Sequence, residues 1–417
     1  MQPVGDAEFA GLMAGLGPFE TEPHLAVAVS GGADSLALAL LARKWSAARG
    51  GAITALIVDH QLRPQSADEA TWTAHLLQNQ SFPTRVLSVG SLPPGPALAA
   101  RARAARYRAL SVACAEAGIL HLLTGHHAAD QAETILIRSL GRSGQTGLAA
   151  MPAVTETDAV RLLRPLLTVA PARLRATLSA AGLPWAEDPS NADRRALRSR
   201  LRAERRDPGG WGPATRALCA AARADGEARV ARGQALARAL AEGASLRPEG
   251  FALLPHRTMP ADALAALIRT VGGRAFGPGL RPVGSLAADL RPATLAGTRL
   301  LPAGRLGPGL LLVREVRAVQ PPVDAVSGAV WDGRFRLHQG EGLPPHATLG
   351  ALGQAARRFR EHTHLPASVL QTLPALRSGD TLLAVPHLGY FDGGLRARPV
   401  IGFAPPDPAA CADWHPA

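Results

Sequence analysis

LAVAVSGGADS, residues 25–35, joins an apolar run to a turn holding two glycines, an aspartate and two serines. Leu25–Val29 has the composition of a short strand buried in a parallel sheet. The LALALLARK that follows has helical spacing, so the segment reads as strand, tight turn, helix. Glycines in such a turn let backbone N–H groups approach a ligand closely, and the start of a helix favours negative charge. The turn is therefore built for phosphate. It is not a Walker loop, because no lysine follows the glycines, and it lacks the G-x-G-x-x-G dinucleotide pattern.

The pattern present, S-G-G-x-D-S over Ser30–Ser35, resembles the pyrophosphate loop of ATP pyrophosphatases. The resemblance implies cleavage of ATP between its α- and β-phosphates. The competing reading is a Gly-Gly turn that only connects a strand to a helix.

Outward from this loop, strand and helix alternate through residue 150. ITALIVDH (53–60), TRVLSVG (84–90) and ILHLLTGH (119–126) read as strands. SADEATWTAHLLQNQ (66–80), ALAARARAARYRALSVACAEAG (97–118) and AADQAETILIRSL (128–140) read as helices. Such βα alternation predicts an α/β fold with a doubly wound parallel sheet, whose ligands bind at the carboxyl ends of its strands. The polar clusters 30–35, 59–63 and 125–130 all fall at those ends. Farther on, PARLRATLSAAG (171–182) is amphipathic, and DPGGWGP (207–213) is dense in helix breakers and marks a domain boundary. Beyond it lie Ala/Arg-rich helices, and LAGTRLLPAGRLGPGLLLVREV (295–316) has hairpin character. We expect a catalytic domain over 1–212, a mainly helical linker domain with a hairpin over 213–322, and a small α+β domain over 323–417.

The bulk properties agree. At 417 residues the chain is long for one domain. No apolar run approaches the ~20 residues of a membrane span, and residues 1–22 lack a signal-peptide layout. Cys114, Cys219 and Cys411 are few and far apart, which argues against disulfides or a thiolate metal site and fits a reducing cytoplasm. The net charge is +12, and Lys44 is the only lysine. Arginine binds phosphate bidentately and stacks on bases, which suits a polyanionic partner, although GC-rich codon usage also enriches arginine. The stretch RRALRSRLRAERR (194–206) carries seven arginines and one acid, Glu204, where a solvated helix face would mix both signs. We read it as facing nucleic acid.

Four further blocks narrow the function: VDHQLRPQSADEA (58–70), GHHAADQAETILIRSLGRSGQTGLAAM (125–151), RPLL (164–167) and EDPSNAD (187–193). With the pyrophosphate loop they resemble, in order and spacing, the tRNA(Ile)-lysidine synthetase family. The match is continuous over about residues 24–206, and TLAGTRLLPAG and LPASVLQTLPALRSGDTLLAVPHLG resemble that family's later domains. The family implies an adenine-nucleotide alpha-hydrolase-like catalytic domain. It also implies ATP, Mg²⁺, L-lysine and a CAU-anticodon tRNA(Ile) as the reaction's components. The wobble cytidine is adenylated at its 2-oxygen, then lysine displaces AMP to give lysidine. Two departures stand out: Ala129 replaces an aspartate common in the family, and Ser199 follows Arg198 where the family has asparagine. Thiolating relatives need a cysteine pair or C-x-x-C, and this chain has neither. Another pyrophosphate-loop tRNA-modifying or amide-forming enzyme is the alternative, as is a tRNA-binding protein without catalysis.

The resemblance implies the following roles. Ser30, Gly31, Gly32, Ala33, Asp34 and Ser35 form the ATP-binding loop. Asp34 holds Mg²⁺, since hard cations take carboxylate oxygens and bridge phosphates, with a helix cap as its alternative. His60 and Arg63 reach the phosphates or the base, and packing competes for His60. Asp130 is grouped with them as catalytic. His127, Asp130 and Glu133 recur at three-residue spacing, suited to nucleotide, lysine or Mg²⁺, with a zinc triad as a further option. Arg101 and Arg106, beside Tyr107, contact tRNA backbone or lie on a solvated face. Arg198, Arg202 and Arg205 meet tRNA phosphates. Oligomeric state is left open by the sequence, a homodimer included.

Overall fold

A computed structural model describes residues 1–61, 65–90, 93, 95–141, 148–157, 159–187, 197–205 and 207–410, the side chains of Arg198, Ser199 and Ala203 excepted. The chain forms two compact units, Met1–Ala231 and Arg232–Ala412. Helix α1 (Asp6–Ala14) precedes strand β1 (His24–Val29), helix α2 (Ala33–Ala47), β2 (Ala52–Asp59) and α3 (Ser66–Asn79). Then come β3 (Thr84–Ser88), α4 (Leu98–Glu116), β4 (His121–Thr124), α5 (Ala128–Leu140), β5 (Val154–Glu156) and β6 (Arg161–Leu163). The sheet order is β3-β2-β1-β4-β6-β5. All neighbours pair parallel except β5, which runs antiparallel to β6 at the edge. The expected doubly wound sheet is present.

Alternation along β1 explains the layering. Leu25, Val27 and Val29 enter a core with Leu36, Leu38 and Leu41 of α2 and Leu174 and Leu178 of the helix Pro171–Ala180. Ala26 faces the opposite core, with Leu110, Ala113 and Cys114 of α4. Each of these fully buried leucines contributes about 2 kcal/mol by leaving water. With helices on both faces, the sheet exposes only its strand ends to ligands. The chain proceeds from β1 to one side through β2 and β3, then returns to place β4 on the other. The crevice at this reversal, between β1 and β4, is where open α/β sheets bind their ligands.

In the second unit an antiparallel sheet runs in the order Ser245–Arg247, Phe251–Leu254, Leu310–Arg314, Thr298–Pro302, Ala293–Leu295. The hairpin expected within 295–316 pairs Leu300 with Leu312. One face packs on the helices Ala261–Val271 and Leu280–Ala288, through Leu264, Ile268 and Leu286. Phe251, Leu311 and Val313 of the other face join Leu352, Val369, Leu373 and Leu382 from the last ninety residues, which add five-stranded and three-stranded sheets. No helix among the described residues is long and apolar enough to cross a membrane.

A buried ionic triad ties this unit together. Arg314 Nε and Arg334 Nε donate to Asp332 Oδ2 at 3.0 and 2.7 Å, and Arg334 also donates to the Gly250 and Thr372 carbonyls. Burial pushes the Arg334 guanidinium down to about 10 despite Asp332. Removing the only carboxylate of this triad leaves two like charges in apolar surroundings. Asp332→Ala should therefore destabilise the second unit by about 3–5 kcal/mol, read as a lower urea midpoint. A shift below about 1 kcal/mol would mean the arginines find other partners.

Candidate active site

The turn after β1 folds as its sequence requires. Gly31 has φ +79°, and a Cβ on it would lie 2.4 Å from Thr73 Oγ1 of α3. Only glycine fits there. Gly32, in extended conformation, is the N-cap of α2, so Ala33 and Asp34 are its first residues. Ser35 Oγ donates to the Gly32 carbonyl at 3.0 Å and accepts from the Ser30 N–H at 3.1 Å, closing the loop on itself. The Ala186 N–H donates to the Gly31 carbonyl at 2.9 Å, bringing the segment after Pro171–Ala180 onto the loop. Ser30, Gly32, Ala33, Asp34 and Ser35 line a cavity of about 1290 Å³. Asp34 is no helix cap. Its Oδ1 is buried without a partner among the described residues.

At the end of β4 the chain approaches this loop closely, for a Cβ on Gly125 would lie 3.0 Å from the Ser35 nitrogen. His127 is the N-cap of α5, and its N–H donates to Asp130 Oδ2 at 3.1 Å in a capping box. Its Nε2 lies 3.5 Å from Asp34 Oδ2. Burial opposes charge on the His127 ring, but Asp130 and Asp34 outweigh it and hold its pKa above the usual histidine value. Burial likewise opposes charge on Asp130, and His127 and His126 outweigh that, holding its carboxyl below the usual range. His126 goes the other way: burial pushes it well down despite Asp130, and its Nδ1 pairs with Thr124 Oγ1 at 3.0 Å. Adjacent histidines thus carry opposite preferences for charge. A chain of Asp34, His127 and Asp130 spans the two strand ends.

At the end of β2, Ser66 Oγ donates to Asp59 Oδ1 at 2.6 Å and the Gln61 N–H donates to the same oxygen at 3.0 Å. These bonds, Ser66 foremost, hold the Asp59 carboxyl below the usual range. Asp59 thus sets the turn that delivers His60 to the cavity wall, with its Nδ1 3.3 Å from Ser66 Oγ. Arg63 and the Arg198 side chain lie outside the described residues.

The arginines divide differently from the sequence expectation. Arg106 lines the cavity beside Tyr107, whereas Arg101 is absent from its wall and donates to the Pro93 carbonyl at 2.8 Å. Arg202, its side chain 42% exposed, and Arg205, 8% exposed, both reach Glu133. Arg202 Nε donates to Glu133 Oε1 at 2.8 Å, and Arg205 lies 3.7 Å from the same oxygen. Glu133 is fully buried and outside the cavity wall, so the even spacing of His127, Asp130 and Glu133 does not make one cluster. Among the described residues no three His, Cys, Asp or Glu gather to hold a metal, which removes the zinc triad there.

Several wall residues escaped the sequence reading: Glu69, Arg175, Trp185, Asp207 and Gly210. Asp207 accepts from the Gly212 N–H at 2.7 Å and Thr215 Oγ1 at 2.6 Å, capping the helix Pro213–Gly243. An aspartate placed before G-G-W-G-P was a legible cap signal. Gln131, left without a role, exchanges two hydrogen bonds with the Met151 backbone at 2.8 and 2.9 Å and is structural.

The donor set fits a nucleotide with a hard cation. Mg²⁺ keeps waters and is commonly held by one or two carboxylates with substrate phosphates, and Asp34, whose Oδ1 has no partner among the described residues, is a residue that could hold it. The start of α2 lies on the cavity wall, and the N–H groups at a helix start favour anions.

The PP-loop domain family matches residues 7–205. The tRNA(Ile)-lysidine synthase of Bradyrhizobium sp. strain BTAi1 is 40% identical over 271 residues, 61% of this chain and 75% of that one. The enzyme of that name from Bradyrhizobium diazoefficiens is 39% identical, covering 72% and 82%. That of Mesorhizobium japonicum is 36% identical over 407 residues, covering 91% and 87%. A glycine loop shaped for phosphate, at the switch point of a doubly wound sheet, and similarity that runs nearly the length of both chains place this protein in the tRNA(Ile)-lysidine synthase family.

Proposed function

We propose that the cavity makes lysidine in two steps. The 2-oxygen of the wobble cytidine of CAU-anticodon tRNA(Ile) attacks the α-phosphorus of ATP, and pyrophosphate leaves. An amine of L-lysine then attacks the activated carbon, AMP departs with that oxygen, and the amine gives up a proton. Cytosine's carbonyl oxygen is a poor leaving group, and adenylation makes it a good one. The observation that carries this reading is Asp34, whose buried Oδ1 has no partner among the described residues in a loop closed for phosphate.

Ser30 to Ser35 cradle the phosphates through backbone N–H groups and the Ser30 hydroxyl, while Ser35 holds the loop closed. Asp34 would hold Mg²⁺, which supplies charge neutralisation across the phosphates when bound. His127 and Asp130 keep the Asp34 carboxylate oriented. His60 and Arg106, both on the cavity wall, would meet the base or its backbone. Positioning and electrostatic stabilisation carry the reaction, with no covalent enzyme intermediate. Segments 213–322 and 323–417 read the tRNA body, since RNA is recognised largely by shape. A cytoplasmic location follows from such a substrate.

Labelled lysine, ATP and a CAU-anticodon tRNA(Ile) transcript provide the test. Lysine should enter the tRNA with one AMP and one pyrophosphate formed per lysine. ATP conversion to AMP without lysine in the tRNA would point to another acceptor. Binding of tRNA without any AMP would leave a tRNA-binding protein.

A further inference from the structure

Glu133 lies in the second turn of α5 with no exposure, yet it faces two arginines from one helix, Leu197–Arg205. Arg202 meets both its oxygens, Nε at 2.8 Å and Nη2 at 3.3 Å, in the bidentate geometry that fixes the plane of a guanidinium. Arg205 approaches Oε1 at 3.7 Å, and its Nη1 is 3.4 Å from the Ala129 carbonyl. Both arginines line the cavity, and Glu133 does not. Two guanidinium groups on the cavity wall thus share one buried carboxylate. Arg202 also interacts electrostatically with Asp130 and with Asp34 of the glycine loop. Arg205 is only 8% exposed, and its Nε is buried without a partner among the described residues.

We infer that Glu133 is a positioning residue that never meets substrate: it holds Arg202 and Arg205 in the cavity wall, where their guanidinium groups receive the triphosphate of ATP. This rests on the ATP reaction proposed above. It reassigns Glu133 from substrate contact and turns two of the arginines from tRNA backbone to nucleotide. Long arginine side chains lose considerable rotamer freedom on ordering, and a buried bidentate carboxylate removes that cost before ATP arrives. The α5 helix carries Glu133 and Asp130 together, so one rigid element orients both the arginines and the Asp34–His127 chain.

The test measures ATP affinity calorimetrically, with Mg²⁺ and without tRNA, for the full chain and for Glu133→Gln, Arg202→Met, the double variant and Glu133→Asp. Glu133→Gln and Arg202→Met should each weaken ATP binding about tenfold, and the double variant no more than the worse single, because both remove one unit. Glu133→Asp, which keeps the charge, should recover most of the loss. Unchanged ATP affinity in folded Glu133→Gln would overturn the inference, as would single losses that multiply in the double. So would a raised KM for lysine with ATP affinity intact, because Glu133 would then meet the amine itself. If Glu133→Gln does not fold, Arg202→Met and Arg205→Met carry the test, and unchanged ATP affinity in both would overturn the inference. Wild-type protein that binds ATP but leaves the tRNA unmodified sinks the lysidine reading, while the coupling stays readable.

Discussion

Asp34→Asn should keep the fold and lower adenylation by about 10²–10³, the loss typical of removing one preorganised electrostatic group. The side chain sits at the second position of α2, one oxygen buried without a partner among the described residues and the other 3.5 Å from His127 Nε2. Asparagine has the same shape but lacks the charge that a hard cation needs, so the deficit should fall on kcat more than on the structure. Loss of an acidic group from the first turn costs the helix only about 0.3–1 kcal/mol. Pyrophosphate release with tRNA transcript, beside circular dichroism, reads both quantities. A folded variant with near-normal turnover would retire Asp34 as the Mg²⁺ ligand.

Gly31→Ala should abolish useful ATP binding, a loss of about 100-fold or more, while Gly32→Ala stays within a few-fold. The contrast is steric. A methyl on Gly31 meets Thr73 Oγ1 at 2.4 Å, at a φ of +79° that costs an L-residue about 1–3 kcal/mol. Thr73 cannot yield readily, because it is buried, β-branched and hydrogen-bonded to the Glu69 carbonyl at 2.7 Å within α3. The loop must therefore move away from the helix start it is meant to present. Gly32 has φ −76° and only Ser30 Oγ within reach, at 3.6 Å. Calorimetric ATP titration separates the outcomes. Normal affinity in Gly31→Ala would show that the loop can relax without losing its phosphate geometry. An equal loss in Gly32→Ala would mean that the ligand itself, not protein packing, excludes the side chain.

What the sequence determined by itself is the framework of the first unit and the loop at its centre. Helix α5 spans Ala128–Leu140, the bounds read from its pattern, and the four strands expected before it are all present. Their signals are local: apolar runs, helical spacing, and glycines where the backbone must turn. Strand β6 was not legible, since three residues in RLLRPLL are too few to show a period, and only pairing with β4 makes them a strand. The side-chain partnerships were also beyond sequence. Equal spacing placed His127, Asp130 and Glu133 on one helical face, but His127 is the cap, outside the helical repeat, and Glu133 points into a layer the cavity never reaches. Within the run 194–206, Arg202 meets a counter-charge 69 positions away in Glu133, which its neighbours in sequence could not show. Charge patterning along a chain registers near neighbours only. Tertiary packing set a buried carboxylate behind Arg202 and Arg205, and a carboxylate without water must be met by whatever cations the fold brings to it.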